Sequence, residues 1–260
     1  MNASHEDEEY RRWKHWDEAP PSRDQAERFA KDIRPASLTF GDRILEFGFG
    51  QGTFLDWARR RGYAVSGIDR NTLFVESAKQ RGHVVAVGTG LSHLKLNGGE
   101  YAAIVAFDVL EHLTIEEIRQ FLREARPLLR DQGIIIARIP NGISPFGLYY
   151  QHVDVTHVSI LSHGRLEQIG QPLGYELAWV ANAARGLWSG RKRFLPLKLL
   201  FAALRYLIEL TIGYVYFGKR IPMDRAVCVA LRKTLSGSRS GTDSFSLART
   251  PDVNGSGIAT

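Results

Sequence analysis

The sequence predicts an α/β fold: a doubly wound sheet of about seven strands, mostly parallel, with helices on both faces and an inserted amphipathic helical segment. From Arg43 onward, short apolar runs alternate with segments of helical periodicity. The apolar runs are largely unbroken by polar residues, which is typical of parallel strands covered on both faces. A chain of 260 residues, 44% of them apolar, is long enough to bury the core of one such domain.

The elements follow in a regular order. A helix from Asp24 to Arg34, capped by Ser22, is expected to lead into the sheet. The expected strands are 43–47, 63–68, 83–87, 101–107, 133–139, 175–180 and 225–232. The expected helices between them are 53–61, 72–80, 115–129 and 164–170, with a loop before the last of these. The final strand is expected to run antiparallel in this Rossmann-like arrangement.

These elements divide the chain into five regions. The regions are a helical lead-in over 1–40, a ligand-binding core over 41–184, a basic amphipathic helical insertion over 185–220, a final core strand over 221–233 and a tail over 234–260. The tail is rich in Ser, Gly and Thr with little apolar content, so we expect it to be disordered.

Charge and cysteine content restrict the class of protein. The net charge of +6 is local, because Arg185–Arg220 holds eight basic residues and one acid. A basic pI of this origin does not indicate a general nucleic-acid binder. Cys228 is the one cysteine and lies in an apolar run, so we expect it to be a buried strand residue in a reducing compartment. The acidic N-terminus lacks an apolar signal core, which favours a cytoplasmic protein.

A glycine-rich turn follows the first strand. Gly48, Gly50 and Gly52 stand between that strand and a helix, where glycine allows positive φ and lets a ligand approach the backbone. A dinucleotide fingerprint needs its third glycine where this chain has Thr53. A tight structural turn with no ligand is the alternative explanation.

Polar residues stand at the ends of the first four strands. In an open parallel sheet, ligands bind beyond these carboxyl ends. The positions are Glu46, Asp69, Thr89 with its flanking glycines, and Asp108. A carboxylate at Asp69 is suited to accept hydrogen bonds from two ribose hydroxyls, although a helix cap next to Asn71 is the alternative.

The order and spacing of these motifs over Asp42 to Asn141 resemble class I S-adenosylmethionine-dependent methyltransferases, in particular the ubiquinone-pathway-like branch. The resemblance implies S-adenosylmethionine as cofactor. It places the methionine moiety at the turn of Gly48, Gly50 and Gly52, with Glu46 near its amino group.

The same resemblance gives roles to three further residues. It implies that Asp69 binds the ribose and that Asp108 lies beside the transferring methyl group. The family often has Gly-Asp after the third strand, whereas this chain has Gly88-Thr89-Gly90, so adenine contacts are expected from Thr89 or from backbone.

Two polar clusters are candidates for catalysis. Glu111 and His112 follow the fourth strand, and His157 ends a polar and aromatic segment after the fifth. A histidine or carboxylate is suited to deprotonate an acceptor hydroxyl. Alternatively, Glu111 and His112 cap the next helix, and Asp154 and Thr156 only hold a structural loop. The Asp-x-x-Glu-His pattern also resembles one that holds a divalent metal in some relatives, but we expect no metal here.

The sequence limits the class of methyl acceptor mainly by excluding one kind of target. No Asp/Asn-Pro-Pro-Tyr/Phe signature follows the fourth strand, which argues against methylation of nucleic-acid bases. Similar polar loops occur in methyltransferases of bacterial cell-envelope sugar pathways, so we expect a small-molecule or a glycan- or lipid-linked acceptor, methylated on oxygen. A non-catalytic scaffold at the membrane and a nicotinamide-dependent reductase are the alternatives.

The sequence of the insertion predicts a surface helix that is unusually apolar. Phe194–Phe217 contains three charges, Lys198, Arg205 and Glu209, whose helical spacing places them on one narrow stripe. Charges near a bilayer centre are costly, so we expect a helix, broken near Gly213, that lies on the cytoplasmic face of an anionic membrane. Burial in a homodimer or against the core is the alternative.

Overall fold

The computed structural model describes residues 21–91, 99–183 and 194–234. Its centre is a seven-stranded sheet with the order β3-β2-β1-β4-β5-β7-β6. The strands are β1 Arg43–Phe47, β2 Ala64–Asp69, β3 Val84–Val87, β4 Tyr101–Phe107, β5 Leu129–Pro140, β6 Tyr175–Asn182 and β7 Ala226–Lys233. Strands β1 to β5 pair in parallel, and β7 is antiparallel to both β5 and β6. The predicted fold class is confirmed, including the late antiparallel strand.

The helices connect the strands and cover the sheet. They are α1 Arg23–Asp32, α2 Thr53–Arg60, α3 Thr72–Gln80, α4 Ile115–Leu128, α5 Gly147–Val153, α6 His163–Gly170 and α7 Leu195–Phe217. Short 3-10 turns occupy Arg34–Ala36, Leu110–His112 and Gln171–Leu173. The predicted cap of α1 is confirmed, because Ser22 and Gln25 form a reciprocal capping box at its start.

Two segments differ from the sequence-based expectation. Strand β5 begins at Leu129, directly after α4 and not at Gly133, because Pro127 in the last turn of α4 prevents the helix from continuing. The expected loop before α6 contains α5, which is too short for its periodicity to be recognised. Gly147 starts α5 against the backbone of Asn141, where a Cβ atom would lie 2.0 Å from the carbonyl oxygen.

The lead-in helix α1 is packed on the sheet. Phe29 of α1 is buried, and its ring lies 5.3 Å from Phe54, 5.7 Å from Trp57 and 5.9 Å from Phe107, measured between ring centroids. This aromatic cluster fixes α1 over the carboxyl ends of β1 and β4. Cys228 is buried in β7, as the sequence predicted.

The predicted break in the inserted helix is wrong. Helix α7 is continuous through Gly213, because this glycine packs against the chain that returns from the helix: a Cβ atom there would lie 2.7 Å from the Lys219 carbonyl oxygen. Within the described residues no helix is long and apolar enough to cross a membrane. The first half of the lead-in, the start of the insertion and nearly all of the predicted tail lie outside the described residues.

We expect Phe29→Ala to destabilise the fold by about 3–5 kcal/mol, because it removes the ring that anchors α1. Thermal unfolding measures the loss. Phe40→Ala is the matched control, since Phe40 is 88% exposed. Equal melting temperatures for the two variants would contradict the anchoring role of Phe29.

Candidate functional site

A cavity of about 630 Å³ opens at the carboxyl ends of the parallel strands. Its walls come from the ends of β1, β4 and β5, from α1, from the start of α2, from the 150–157 segment and from residues 224–226. Sites of this position and size are typical of small-molecule and cofactor binding in open α/β sheets. Of the predicted strand-end residues, Glu46 and Asp108 line this cavity, whereas Asp69 and Thr89 do not.

The glycine turn has the backbone that its sequence predicted. Gly48, Gly50 and Gly52 have φ of 71°, 52° and 74°, in a region that residues with side chains rarely adopt. A Cβ atom on Gly48 would also lie 2.5 Å from the Val109 side chain. Gly48 and Gly50 line the cavity, whereas Gly52 does not and instead starts α2.

Asp69 at the end of β2 stabilises the glycine turn through a hydrogen bond. Its Oδ2 accepts a hydrogen bond of 2.7 Å from the Gly50 amide, and its Oδ1 accepts one of 2.8 Å from the Asn71 amide. The cap of α3 is Asn71, whose side chain accepts from the amides of Leu73 and Phe74, so the alternative that Asp69 is the cap is wrong. Asp69 is buried and lies behind the cavity wall.

Glu46 supplies a buried carboxyl group to the cavity wall. The residue is 4% exposed, and its Oε2 has no hydrogen-bond partner among the residues that the structure describes. Burial raises the pKa of Glu46 well above its usual range, Asp69 and Asp56 raise it further, and the Arg138 guanidinium opposes the shift. A cationic group bound in the cavity would provide the missing partner.

Asp108 is held by an arginine that the sequence analysis did not select. Arg138 of β5 donates from Nε to both carboxylate oxygens of Asp108, at 3.0 Å each, and from Nη1 to Asp32 of α1 at 3.2 Å. Burial alone would lower the pKa of Arg138, but Asp108 and Asp32 outweigh it and the pKa is raised. Asp108 lines the cavity with φ of 57°, an uncommon conformation outside glycine.

His112 is oriented by a chain of hydrogen bonds. The Thr156 hydroxyl donates to Asp154 Oδ1 at 2.6 Å, and the same hydroxyl oxygen lies 2.8 Å from His112 Nδ1. Since an ionised carboxylate only accepts, the hydroxyl proton goes to Asp154 and the bond from His112 must be donated by Nδ1–H. The lone pair of the neutral ring is then on Nε2, where a base needs it.

His157 and Glu111 complete this wall. The His157 ring lies edge-on to His112, with centroids 4.6 Å apart, and both residues line the cavity. One ligand atom from each of Glu111, His112 and His157 can be chosen so that all lie within 4.8 Å of one another. This donor set resembles that of a metal site, and the expectation of a metal-free protein stays a prediction.

Glu111 and His112 do not cap the following helix. The cap of α4 is Thr114, which forms a capping box with Glu117. The loop alternative for the second cluster describes only part of it, since Asp154 and Thr156 hold the loop while Tyr150 and His157 reach the cavity.

Thr89 lies apart from the cavity. It is exposed after β3, and its neighbour Gly88 donates a backbone hydrogen bond of 3.0 Å to the Asp69 carbonyl. Thr89 therefore lies near the Asp69 strand end but outside the cavity wall. A role in adenine binding stays a prediction.

The sequence analysis missed several residues of the cavity wall. Asp24 and Arg28 come from α1, Asp224 and Arg225 from the segment before β7, and Arg138 from β5. Only Arg138 had a local signal, as a lone charge inside an apolar strand. The others reach the site through tertiary packing that no local pattern reveals.

Comparisons with known proteins agree with this geometry. A protein family described as a methyltransferase domain matches residues 45–137. An uncharacterized Escherichia coli protein, YjhP, is 33% identical over 84 residues, which are 32% of this chain. The match spans only 34% of YjhP's length.

Solved structures share the fold at low identity. A TehB-like methyltransferase from Corynebacterium glutamicum superposes with a TM-score of 0.56 and 17% identity, over 90% of this chain and all of the other. Phosphoethanolamine N-methyltransferase 2 of Haemonchus contortus, in complex with S-adenosyl-L-methionine, superposes with a TM-score of 0.55 and 17% identity. The superposition covers 80% of this chain and 52% of the other. The cyclase SpnF superposes with a TM-score of 0.54 and 16% identity, over 85% of this chain and 86% of the other.

The family match begins within β1 and ends within β5, and it contains the glycine turn, Asp69 and Asp108. The sheet order with a late antiparallel strand is that of the solved methyltransferases. Residues 45–137 therefore match a methyltransferase domain, and the sheet has the fold of the class I methyltransferases.

Proposed function

We propose that this protein transfers the methyl group of S-adenosylmethionine to a hydroxyl oxygen of a small-molecule or a glycan- or lipid-linked acceptor. The observation that carries the proposal is the composition of the cavity. One wall holds the glycine turn and the buried Glu46 carboxyl, and another holds His112 in the tautomer of a base. A methyl donor and a proton acceptor thus have separate places in one cavity.

The residues of the first wall fit the cofactor. S-adenosylmethionine supplies an electrophilic methyl group on a positively charged sulfur, with a neutral leaving group. Glu46 Oε2 lacks a partner within the described residues and suits the amino group of the methionine moiety. Asp69 lies next to this wall, where it accepts from the Gly50 and Asn71 amides, and a carboxylate at this strand end is suited to ribose hydroxyls.

The residues of the second wall suit proton removal. His112 takes the proton of the acceptor hydroxyl at Nε2, while Nδ1–H stays bonded to Thr156. Asp154 then stabilises the positive charge of the ring through the Thr156 hydroxyl. Glu111 and His157 lie beside His112 and help orient the acceptor. Positioning supplies the rest of the acceleration, since the leaving group is good.

The class of acceptor is supported by two features. The phosphoethanolamine N-methyltransferase that shares this fold acts, by its name, on a small molecule. The cavity here also combines charged and aromatic side chains, with the Arg225 guanidinium 4.6 Å from the centre of the Tyr150 ring. We assign the methylated atom as oxygen because the wall offers a base, which a hydroxyl acceptor requires.

A second reading is that the fold serves another reaction or none. The cyclase SpnF has the same fold, so the fold does not fix the activity. Both readings predict cofactor binding, and only a methyltransferase transfers label from the methyl group of S-adenosylmethionine to an acceptor. Incubation with methyl-labelled cofactor and fractionated cell extract distinguishes them, because label in a new compound supports transfer and its absence from every fraction contradicts it.

We expect Asp69→Ala to weaken S-adenosylmethionine binding about tenfold or more, because a charged hydrogen-bond partner contributes about 1.5–3 kcal/mol. Gly50→Val should weaken binding similarly, since valine does not adopt the φ of 52° at this position. Isothermal titration calorimetry gives the affinities. Unchanged affinity in both variants would refute the cofactor site.

Glu46→Gln should stabilise the free protein at neutral pH while weakening S-adenosylmethionine binding about tenfold. Burial raises the pKa of Glu46, so the folded protein holds the proton more tightly than the unfolded chain. Stability is therefore highest below the ordinary value of 4.5 and falls as pH rises toward the raised folded pKa. The variant does not titrate there, so its melting temperature should exceed the wild type's near pH 7 and approach it near pH 4.

The control for Glu46 is Glu116→Gln, which changes an exposed carboxylate on α4. It should leave the cofactor affinity unchanged. A Glu46→Gln variant that is less stable than the wild type at pH 7 would show that the carboxylate is ionised and paired in the free protein.

His112→Ala should lower turnover by about 10²-fold with nearly unchanged cofactor affinity, since it removes the base but no part of the first wall. Thr156→Val should lower turnover less, because it removes only the group that orients the ring. Thr156→Ser restores the hydroxyl and should restore turnover. If His112→Ala and His157→Ala both retain wild-type turnover on the identified acceptor, neither histidine is the base.

A further inference from the structure

We propose that α7 and its basic residues dock this protein on the surface of an anionic lipid bilayer. The surface concerned, called here the α7 face, consists of the outward side chains of Leu195–Phe217 together with Lys219. The docking stands on observations outside the catalytic cavity, and only its consequence for the acceptor rests on the proposed function.

The polarity of α7 is the reverse of that expected for a helix on a water-exposed surface. Its two buried residues are Glu209 and Gly213. The large apolar side chains point outward instead, with Leu200 62%, Leu204 49% and Leu207 60% exposed. Further along, Val215 is 71% and Tyr216 75% exposed. Continuous apolar surface of this extent is typical of an interaction site.

A polar contact holds α7 to the body of the protein. Glu209 accepts from Asn182 Nδ2 of β6 at 2.8 Å and from Arg220 Nε at 3.2 Å. The Arg220 guanidinium also lies 4.7 Å from the centre of the Tyr206 ring. The inward contacts of the helix are made by its one carboxylate and by Gly213, so its large apolar side chains stay exposed among the described residues.

The charge of the α7 face indicates an anionic partner. Its charged side chains are Lys198, Arg205 and Lys219, and the acid of the segment, Glu209, is turned inward. Three further basic residues, 191–193, directly precede the helix in the sequence. Lys and Arg near an anionic leaflet are attracted to it, and apolar and aromatic side chains enter the headgroup region.

A second copy of this chain fits the α7 face less well. A twofold dimer would place the same surface on both sides of the interface. It would then bring cations of one copy toward cations of the other, with no outward acid in α7 to pair with them. An anionic bilayer surface supplies the complementary charge along with an apolar interior.

The attachment of α7 also adjoins the cavity. Asn182, which holds Glu209, accepts through Oδ1 a hydrogen bond of 2.9 Å from the Asp224 amide. Asp224 and Arg225 line the cavity. Docking through α7 would therefore place this rim near the bilayer, where the proposed function would take an acceptor carried on a lipid.

Vesicle co-sedimentation of the full chain tests the docking. The vesicles are phosphatidylcholine alone and phosphatidylcholine mixed with phosphatidylglycerol, without any methyl donor or acceptor. We expect binding to the mixed vesicles only, and loss of binding in about 1 M salt, where the screening length is about 3 Å. Absence of binding to mixed vesicles at low salt would overturn the proposal.

Two pairs of variants locate the binding surface. Lys198→Glu with Arg205→Glu should lower partitioning to mixed vesicles by about tenfold or more, whereas Arg60→Glu with Arg119→Glu, which reverses two exposed cations elsewhere, should lower it much less. Leu204→Ser with Leu207→Ser should also weaken binding, whereas Val84→Ser, at a site 74% exposed on β3, should not. Equal losses in variants and controls would overturn the role of α7.

Two further measurements distinguish a loss of lipid binding from misfolding and from dimerisation. Melting temperatures show that each variant is folded, without reliance on any activity. Sedimentation velocity measures the oligomeric state, and a dimer that becomes monomeric in Leu204→Ser with Leu207→Ser would assign the α7 face to a second copy and overturn lipid docking. Failure to bind S-adenosylmethionine would refute the proposed function and leave the vesicle result valid.

Discussion

The site depends on a largely enclosed cation, Arg138, at the carboxyl edge of the sheet, where its side chain is 17% exposed. Arg138 lies between Asp108, at the end of β4, and Asp32, which is 1% exposed at the end of α1. Asp32 is the buried partner, so removing Arg138 would leave a buried carboxylate uncompensated, which is unfavourable. The pairs therefore fix α1 against β4 and β5, and with α1 they fix one wall of the cavity. The same guanidinium opposes the rise in the Glu46 pKa, so it links the position of α1 to the protonation of the proposed cofactor wall.

The cavity combines two different electrostatic environments, one at Glu46 and one at His112. Glu46 is desolvated and favours its neutral form until a cation is bound, which costs stability in the free protein. His112 instead has its proton position set by a hydroxyl and a buried carboxylate that bond to each other. The first wall is thus prepared for a positive ligand and the second for receiving a proton. A transfer that starts from a cationic donor and releases a proton from the acceptor needs both.

Most of the fold could be predicted from the sequence because the strands and all helices except α5 have a local signal. The apolar runs and the glycine turn predicted the doubly wound sheet, and the Ser22 cap predicted the start of α1. The early start of β5 was missed because Leu129 continues the apolar periodicity of α4, and only Pro127 marks the end of the helix. The Gly213 break was wrongly expected because a glycine within a helix usually weakens it, whereas here it allows close packing against Lys219 and Arg220.

The two halves of the candidate site differ in how well local sequence patterns predict them. Glu46, Gly48, Gly50, Asp69 and Asp108 all follow strands whose order is fixed by the sheet, so their meeting follows from topology. The other half is assembled across long separations: Thr156 lies 44 residues from His112, and Arg138 lies 106 residues from Asp32. No single-sequence pattern encodes such contacts.

The matched family also ends at residue 137, before the 150–157 segment and residues 224–226. The family match therefore leaves part of the cavity wall undescribed, and direct identification of the labelled product is the way to establish the acceptor.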